Sequence, residues 1–149
     1  MNIKDSDKSV GINAIELLQR MLDKKLPKDY LDFLLEYNGG YPEPDCFLFA
    51  TGKEGSSVQG FYKINSQNDF DDLIKIIKTY ENRIPEDFIP FAYDPGGNQV
   101  CIAVSGKQYG KIYFWDHETE EDNINSSISK NMSLVSNSFT DFMNALCKL

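Results

Sequence analysis

Between Ile89 and Trp115 three apolar runs follow one another, separated only by short turn-forming stretches. "PFAYD" leads into Pro95-Gly96-Gly97, "QVCIAV" leads into a segment holding Gly106 and Gly110, and "KIYFW" closes the series. Short runs rich in aromatic and β-branched residues, bounded by Gly, Pro, Asn and Asp, read as strands. Asp94 favours the first position of a turn and Pro95 sets φ at the second. Gly96 accepts the positive φ that the third position of a type II turn requires. The middle run is apolar on both faces of its alternation, as a strand covered by helices would be. Pro85 precedes the series and Pro90 opens it, and together they exclude a helix and a central ladder position until after Pro90. Three consecutive strands joined by tight turns are therefore the part of the fold that this chain constrains most.

Helical periodicity flanks this series on both sides. Ile12, Ile15, Leu18 and Leu22 recur at helical spacing, with Asn13 and Glu16 as a candidate N-terminal cap. A second helix begins near Pro27, carries Tyr30, Leu31, Leu34, Leu35 and Tyr37 on its apolar side, and stops at Asn38-Gly39-Gly40. "YPEPD" (41–45) reads as a loop, "CFLFA" (46–50) as a short buried strand, "TGKEGSS" (51–57) as a connection and "VQGFYKIN" (58–65) as a further strand. From Asn68 onward Phe70, Leu73, Ile74, Ile77 and Tyr80 form a third helical stripe, with Asp69, Asp71 and Asp72 at its N-terminal end. A polar stretch, roughly 117–133, leads to a last helix with Ser138 and Asp141 as a capping pair and Phe139, Phe142, Met143 and Leu146 as its stripe. The order predicts an α+β fold with helices on an antiparallel or mixed sheet, in one domain over residues 1–149.

Candidate chemistry is sparse. Gly96-Gly97 fits neither a P-loop nor a dinucleotide fingerprint, and a strand follows it instead of a helix N-terminus that could receive phosphate. The chain holds one histidine, His117, at the end of a strand, with no nucleophile at a spacing that would recruit it. Its alternative is an exposed or loop-capping residue. Cys46, Cys101 and Cys147 are isolated and outside any C-x-x-C pattern, which favours free, buried thiols. Tyr113, Phe114 and Trp115 are either core or a stacking platform; an aromatic strand beside an apolar one favours core. No catalytic, cofactor or metal set is assembled from these residues.

The net charge of -8 argues against nucleic-acid binding, which needs clustered Lys and Arg. It is compatible with a basic protein partner, or with acidity that serves only solubility. The acidic residues concentrate in two places: Glu43 and Asp45 in "YPEPD", and Asp116, Glu118, Glu120, Glu121 and Asp122 after the third strand. The second group lacks the central glycine of an EF-hand loop. It is either a solvated loop or a contact surface for a basic partner. No apolar run approaches the roughly 20 residues that cross a bilayer, and no basic-then-apolar segment opens the chain, so a soluble cytoplasmic protein is expected.

Four stretches in order, "LPKDYLDFLLEYNGG", "IPFAYDPGGNQVCIAV", "GKIYFWDHE" and "SFTDFMNAL", resemble the successive signatures of the SUKH superfamily, in particular its Smi/Knr-type branch. The likeness runs over roughly residues 12–149. It implies an α+β domain whose curved sheet carries helices on one side. It also implies a non-catalytic protein, since bacterial members are thought to serve chiefly as immunity proteins that neutralise a secreted toxin, often a nuclease, by binding it. The expected partner is then a basic protein toxin encoded by a neighbouring gene, met by the seven acidic residues above. A non-catalytic interaction module in a regulatory pathway, as the fungal relatives suggest, is the alternative. An enzyme acting on a small ligand is the third reading, with the single histidine against it.

Overall fold

The three-strand series lies at the centre of a five-stranded sheet in a computed structural model that describes residues 2–7, 10–120, 124–125 and 127–149. In chain order the elements are strand β1 (Asn2–Lys4), helices α1 (Ile12–Leu22) and α2 (Lys28–Glu36), and strands β2 (Tyr41–Glu43), β3 (Cys46–Leu48), β4 (Gly55–Ser57) and β5 (Gly60–Phe61). Helix α3 (Leu73–Thr79) follows, then β6 (Phe88–Tyr93), β7 (Gln99–Ala103), β8 (Ile112–Trp115), β9 (Met132–Ser136) and helix α4 (Phe139–Ala145). The main sheet runs β5-β6-β7-β8-β9, and β1 with β2 and β3 with β4 make two small ribbons. Every pairing between these strands is antiparallel, so the fold is α+β.

One face of the main sheet makes the larger core. Ile89, Phe91, Val100, Ile102, Ile112 and Phe114 meet Ile15 and Leu18 of α1, Tyr30, Phe33 and Leu34 of α2, and Phe139 and Phe142 of α4. Phe91, fully buried, has Tyr30, Phe61, Phe139 and Phe142 around it at ring-centroid distances of 5.6, 6.3, 5.5 and 5.6 Å. Such aromatic pairs add about 0.5–1.5 kcal/mol each beyond their buried area. The opposite face carries Phe88, Cys101, Ala103, Tyr113, Trp115 and Met132. Tyr80 and Ile84, which follow α3, close it over. Strand β7 is thus buried on both faces as expected, but its second face is covered by a short connecting segment and not by a helix.

Several local expectations need correction. Gly11 holds the N-cap of α1 in extended conformation without a side-chain cap, and Asn13 lies inside the first turn; Ile12 is 47% exposed. Residues Asp69–Asp71 form a 3-10 turn, so Phe70 leaves the stripe and stands 63% exposed, while Asp72 caps α3 by accepting from the Lys75 N–H. "YPEPD" is not all loop: Tyr41–Glu43 pairs with β1, a strand too short to leave a periodic signal. "TGKEGSS" is not all connection either, because its Gly55–Ser57 is the partner of β3. Pro90 lies within β6, where a register shift between Pro90 and Ala92 accommodates a residue with no N–H to donate. The 117–133 stretch ends sooner than expected, since β9 begins at Met132. Ser138 caps α4 as its position implies, accepting from the Asp141 N–H at 3.0 Å.

Candidate partner-binding surface

The turn between β6 and β7 organises one end of the sheet. The Gly97 N–H donates to the Asp94 carbonyl at 3.4 Å, and the positive φ, +84°, falls at Gly97. The expected position was Gly96. The side chain of Asp94 explains the change: its Oδ1 accepts from the N–H groups of Gly96 (3.0 Å) and Asn98 (2.8 Å), an Asx-type closure that leaves the left-handed residue one place later. Asp94 Oδ2 accepts from Asn98 Nδ2 at 3.0 Å and from Ser56 Oγ of β4 at 2.8 Å. On the other flank, Asn98 Oδ1 accepts from the His117 N–H (3.0 Å), and His117 Nε2 meets the Gly96 carbonyl at 2.8 Å. The single histidine is therefore a cap on this turn.

Through these bonds the turn is tied to both acidic stretches. Ser56 belongs to β4, which pairs with β3, and the Val58 N–H donates to the Asp45 carbonyl at 2.8 Å. His117 opens the segment that follows β8, whose Trp115 pairs with Gln99 beside the turn. The two clusters, distant in sequence, lie at the same end of the sheet.

Their side chains are not equivalent. Glu43 is paired with Lys4 of the neighbouring strand, and that ammonium, by hydrogen bond and by charge, holds its carboxyl below the ordinary value. Asp116 caps a short 3-10 turn, accepting from the Glu118 N–H at 2.9 Å. Glu120 receives the Arg83 guanidinium in a two-pronged contact at 2.9 and 3.0 Å. Asp45 and Glu118 are exposed and form no ion pair among the described residues, and Asp45 accepts a hydrogen bond from the Cys46 thiol at 3.4 Å. Glu121 and Asp122 lie outside the described residues. Glu54, which the sequence reading passed over as part of a connection, is exposed beside this surface.

Leu48 (43% exposed), Glu54, Pro95, Gly96 and Leu149 (80% exposed) border a shallow concavity of about 490 Å³, which Lys53 also lines. Leu48 sits in an apolar run, so nothing in its sequence setting distinguishes it from core. Exposed apolar side chains beside charged ones of both signs, Glu54 and Lys53, are an arrangement suited to protein recognition. Elsewhere, Cys101 is fully buried and its thiol is pushed up by burial, and Trp115 is fully buried beneath Tyr80 and Arg83. Both are core residues. Among the described residues no group of three His, Cys, Asp or Glu side chains is placed to hold a metal ion. No helix among them is long and apolar enough to cross a membrane.

Comparison with known proteins gives two findings. Residues 10–145 match the SMI1 / KNR4 family (SUKH-1). The chain is also similar to the SPbeta prophage-derived uncharacterized protein YokK of Bacillus subtilis (strain 168). The two are 33% identical over 162 aligned positions, which cover 95% of this chain and 79% of the relative.

Proposed function

The chain belongs to the SMI1 / KNR4 family (SUKH-1), and from that membership we propose that it is an immunity protein, which binds a cognate secreted toxin and neutralises it by masking the toxin's active surface. The observation that supports this reading is the β6–β7 turn, which binds Ser56 of the ribbon that follows Asp45 and His117 of the segment that carries Glu118 and Glu120, beside exposed Leu48 and Leu149. A toxin that acts on nucleic acid needs a basic face for its polyanionic substrate. An acidic surface is steered onto such a face, and apolar side chains at its centre supply short-range affinity. Inhibition on this basis is steric and electrostatic and requires no chemistry from the inhibitor. The prophage origin of the similar Bacillus subtilis protein fits a mobile toxin-immunity cassette.

Co-expression with the adjacent open reading frame tests the reading. The expected outcome is that the neighbour's product co-purifies with this chain through size exclusion at about 0.15 M salt and separates as salt is raised toward 1 M. A neighbour that never associates, or a chain that instead captures several unrelated cellular proteins, points to a general regulatory interaction module.

A further inference from the structure

We propose that Cys46 and Cys147 are a modification site, a thiol pair that oxidises to an intramolecular disulfide. This inference is independent of the toxin reading. The two residues face each other across an antiparallel bridge between β3 and the segment that follows α4. They exchange both backbone hydrogen bonds, Cys46 N–H to the Cys147 carbonyl at 3.0 Å and Cys147 N–H to the Cys46 carbonyl at 2.9 Å. A hydrogen-bonded antiparallel pair keeps its Cα atoms about 5.5 Å apart with both side chains on one face. That spacing falls inside the roughly 4.4–6.8 Å range of disulfides. Cys147 Sγ lies 3.6 Å from the main-chain carbonyl oxygen of Cys46.

Both cysteines are half-buried, within reach of a small oxidant, whereas Cys101 is fully buried. Burial and the hydrogen bond to Asp45 push the Cys46 thiol up, so the pair is stable as dithiol until an oxidant arrives. With a low-molecular-weight disulfide as the oxidant, one protein thiolate attacks it and releases a small thiolate. The second protein thiolate then attacks the mixed disulfide, forming the Cys46–Cys147 bond and releasing the other small thiolate. Two protein thiols lose two electrons and two protons, and the oxidant leaves as two thiols. The bond closes the chain from residue 46 to residue 147, fastening the segment after α4 to β3, whose Leu48 borders the concavity. Constraint of so long a loop in the unfolded chain raises stability.

The native protein incubated with oxidised glutathione tests this. Free thiols, titrated after denaturation, are expected to fall from the three in the sequence to one. A Cys46–Cys147 cross-linked peptide should be recovered, dithiothreitol should restore all three thiols, and Tm should rise by about 5–10 °C on oxidation. Three thiols remaining, or separate glutathione adducts on Cys46 and Cys147 without a cross-link, overturns the proposal. Cys147→Ser is expected to show no oxidant-dependent rise in Tm; an equal rise in that variant also overturns it.

Discussion

The Asp94 carboxylate accepts four hydrogen bonds, from Ser56 Oγ, the Gly96 N–H, and the N–H and Nδ2 of Asn98, and the residue is only 6% exposed. It is the residue through which the β6–β7 turn holds β4. Asp94→Ala leaves these donors without their charged acceptor and should destabilise the protein by about 3 kcal/mol, read as a lower urea midpoint with unchanged m-value. An effect under about 1 kcal/mol would show that the turn closes without that carboxylate. Tyr30 is the opposite case. Its ring packs on Phe91 and Phe139, yet its hydroxyl finds no hydrogen-bond partner among the described residues. Tyr30→Phe keeps the ring and should raise stability by about 1 kcal/mol. Burial also pushes the Tyr30 phenol up, so the folded state favours the neutral form. The stability linked to that group is fully present below about pH 10, the ordinary phenol value, and is lost as pH rises through the higher folded value. Alkaline unfolding curves should therefore fall less steeply for Tyr30→Phe than for the wild type; identical curves would assign the alkaline loss to other groups.

At the scale of elements, the 116–120 segment is fastened at three points, by Asp116 to Asn131, by His117 to the turn and by Glu120 to Arg83. Arg83 also lies over the rings of Tyr80 and Trp115, 4.6 and 5.7 Å from their centroids. Arg83→Ala removes the ion pair and both ring contacts. It should cost about 1 kcal/mol and speed amide exchange in 116–120, while exchange in β7 stays slow. Uniform acceleration across the sheet would contradict this local role. The same elements show what could be read in advance. The β6–β7–β8 series, α2 with its Pro27 start and Asn38-Gly39-Gly40 stop, and α4 with Ser138 were legible because their signals are local: turn chemistry, caps and a repeating apolar face. Strands β1, β2, β4 and β5, of two or three residues, carry no such period, and their partners are chosen by distant segments. The acidic candidates were legible as a composition and not as a surface. That Glu43 is spent on Lys4 and Glu120 on Arg83, 37 residues away, is a property of tertiary neighbours. So is the exposure of Leu48.

For the whole molecule, a net charge of -8 favours long-range association with basic partners, and on the proposed reading the end of the sheet around the β6–β7 turn receives them. Among the seven acidic candidates, Asp45 and Glu118 are exposed and form no ion pair among the described residues, so they are where charge reversal changes a partner's field with least disturbance of the fold. The combined Asp45→Lys and Glu118→Lys variant should fold with the stability of the wild type. It should bind a basic partner at least tenfold more weakly, with a shallower dependence of affinity on salt. Growth of cells that express the adjacent gene's product, with either the wild type or this variant, measures the central claim directly. Protection by the wild type and its loss in the equally abundant variant is the expected result. Equal growth with both, or no protection by the wild type, would contradict an immunity protein acting through its acidic end.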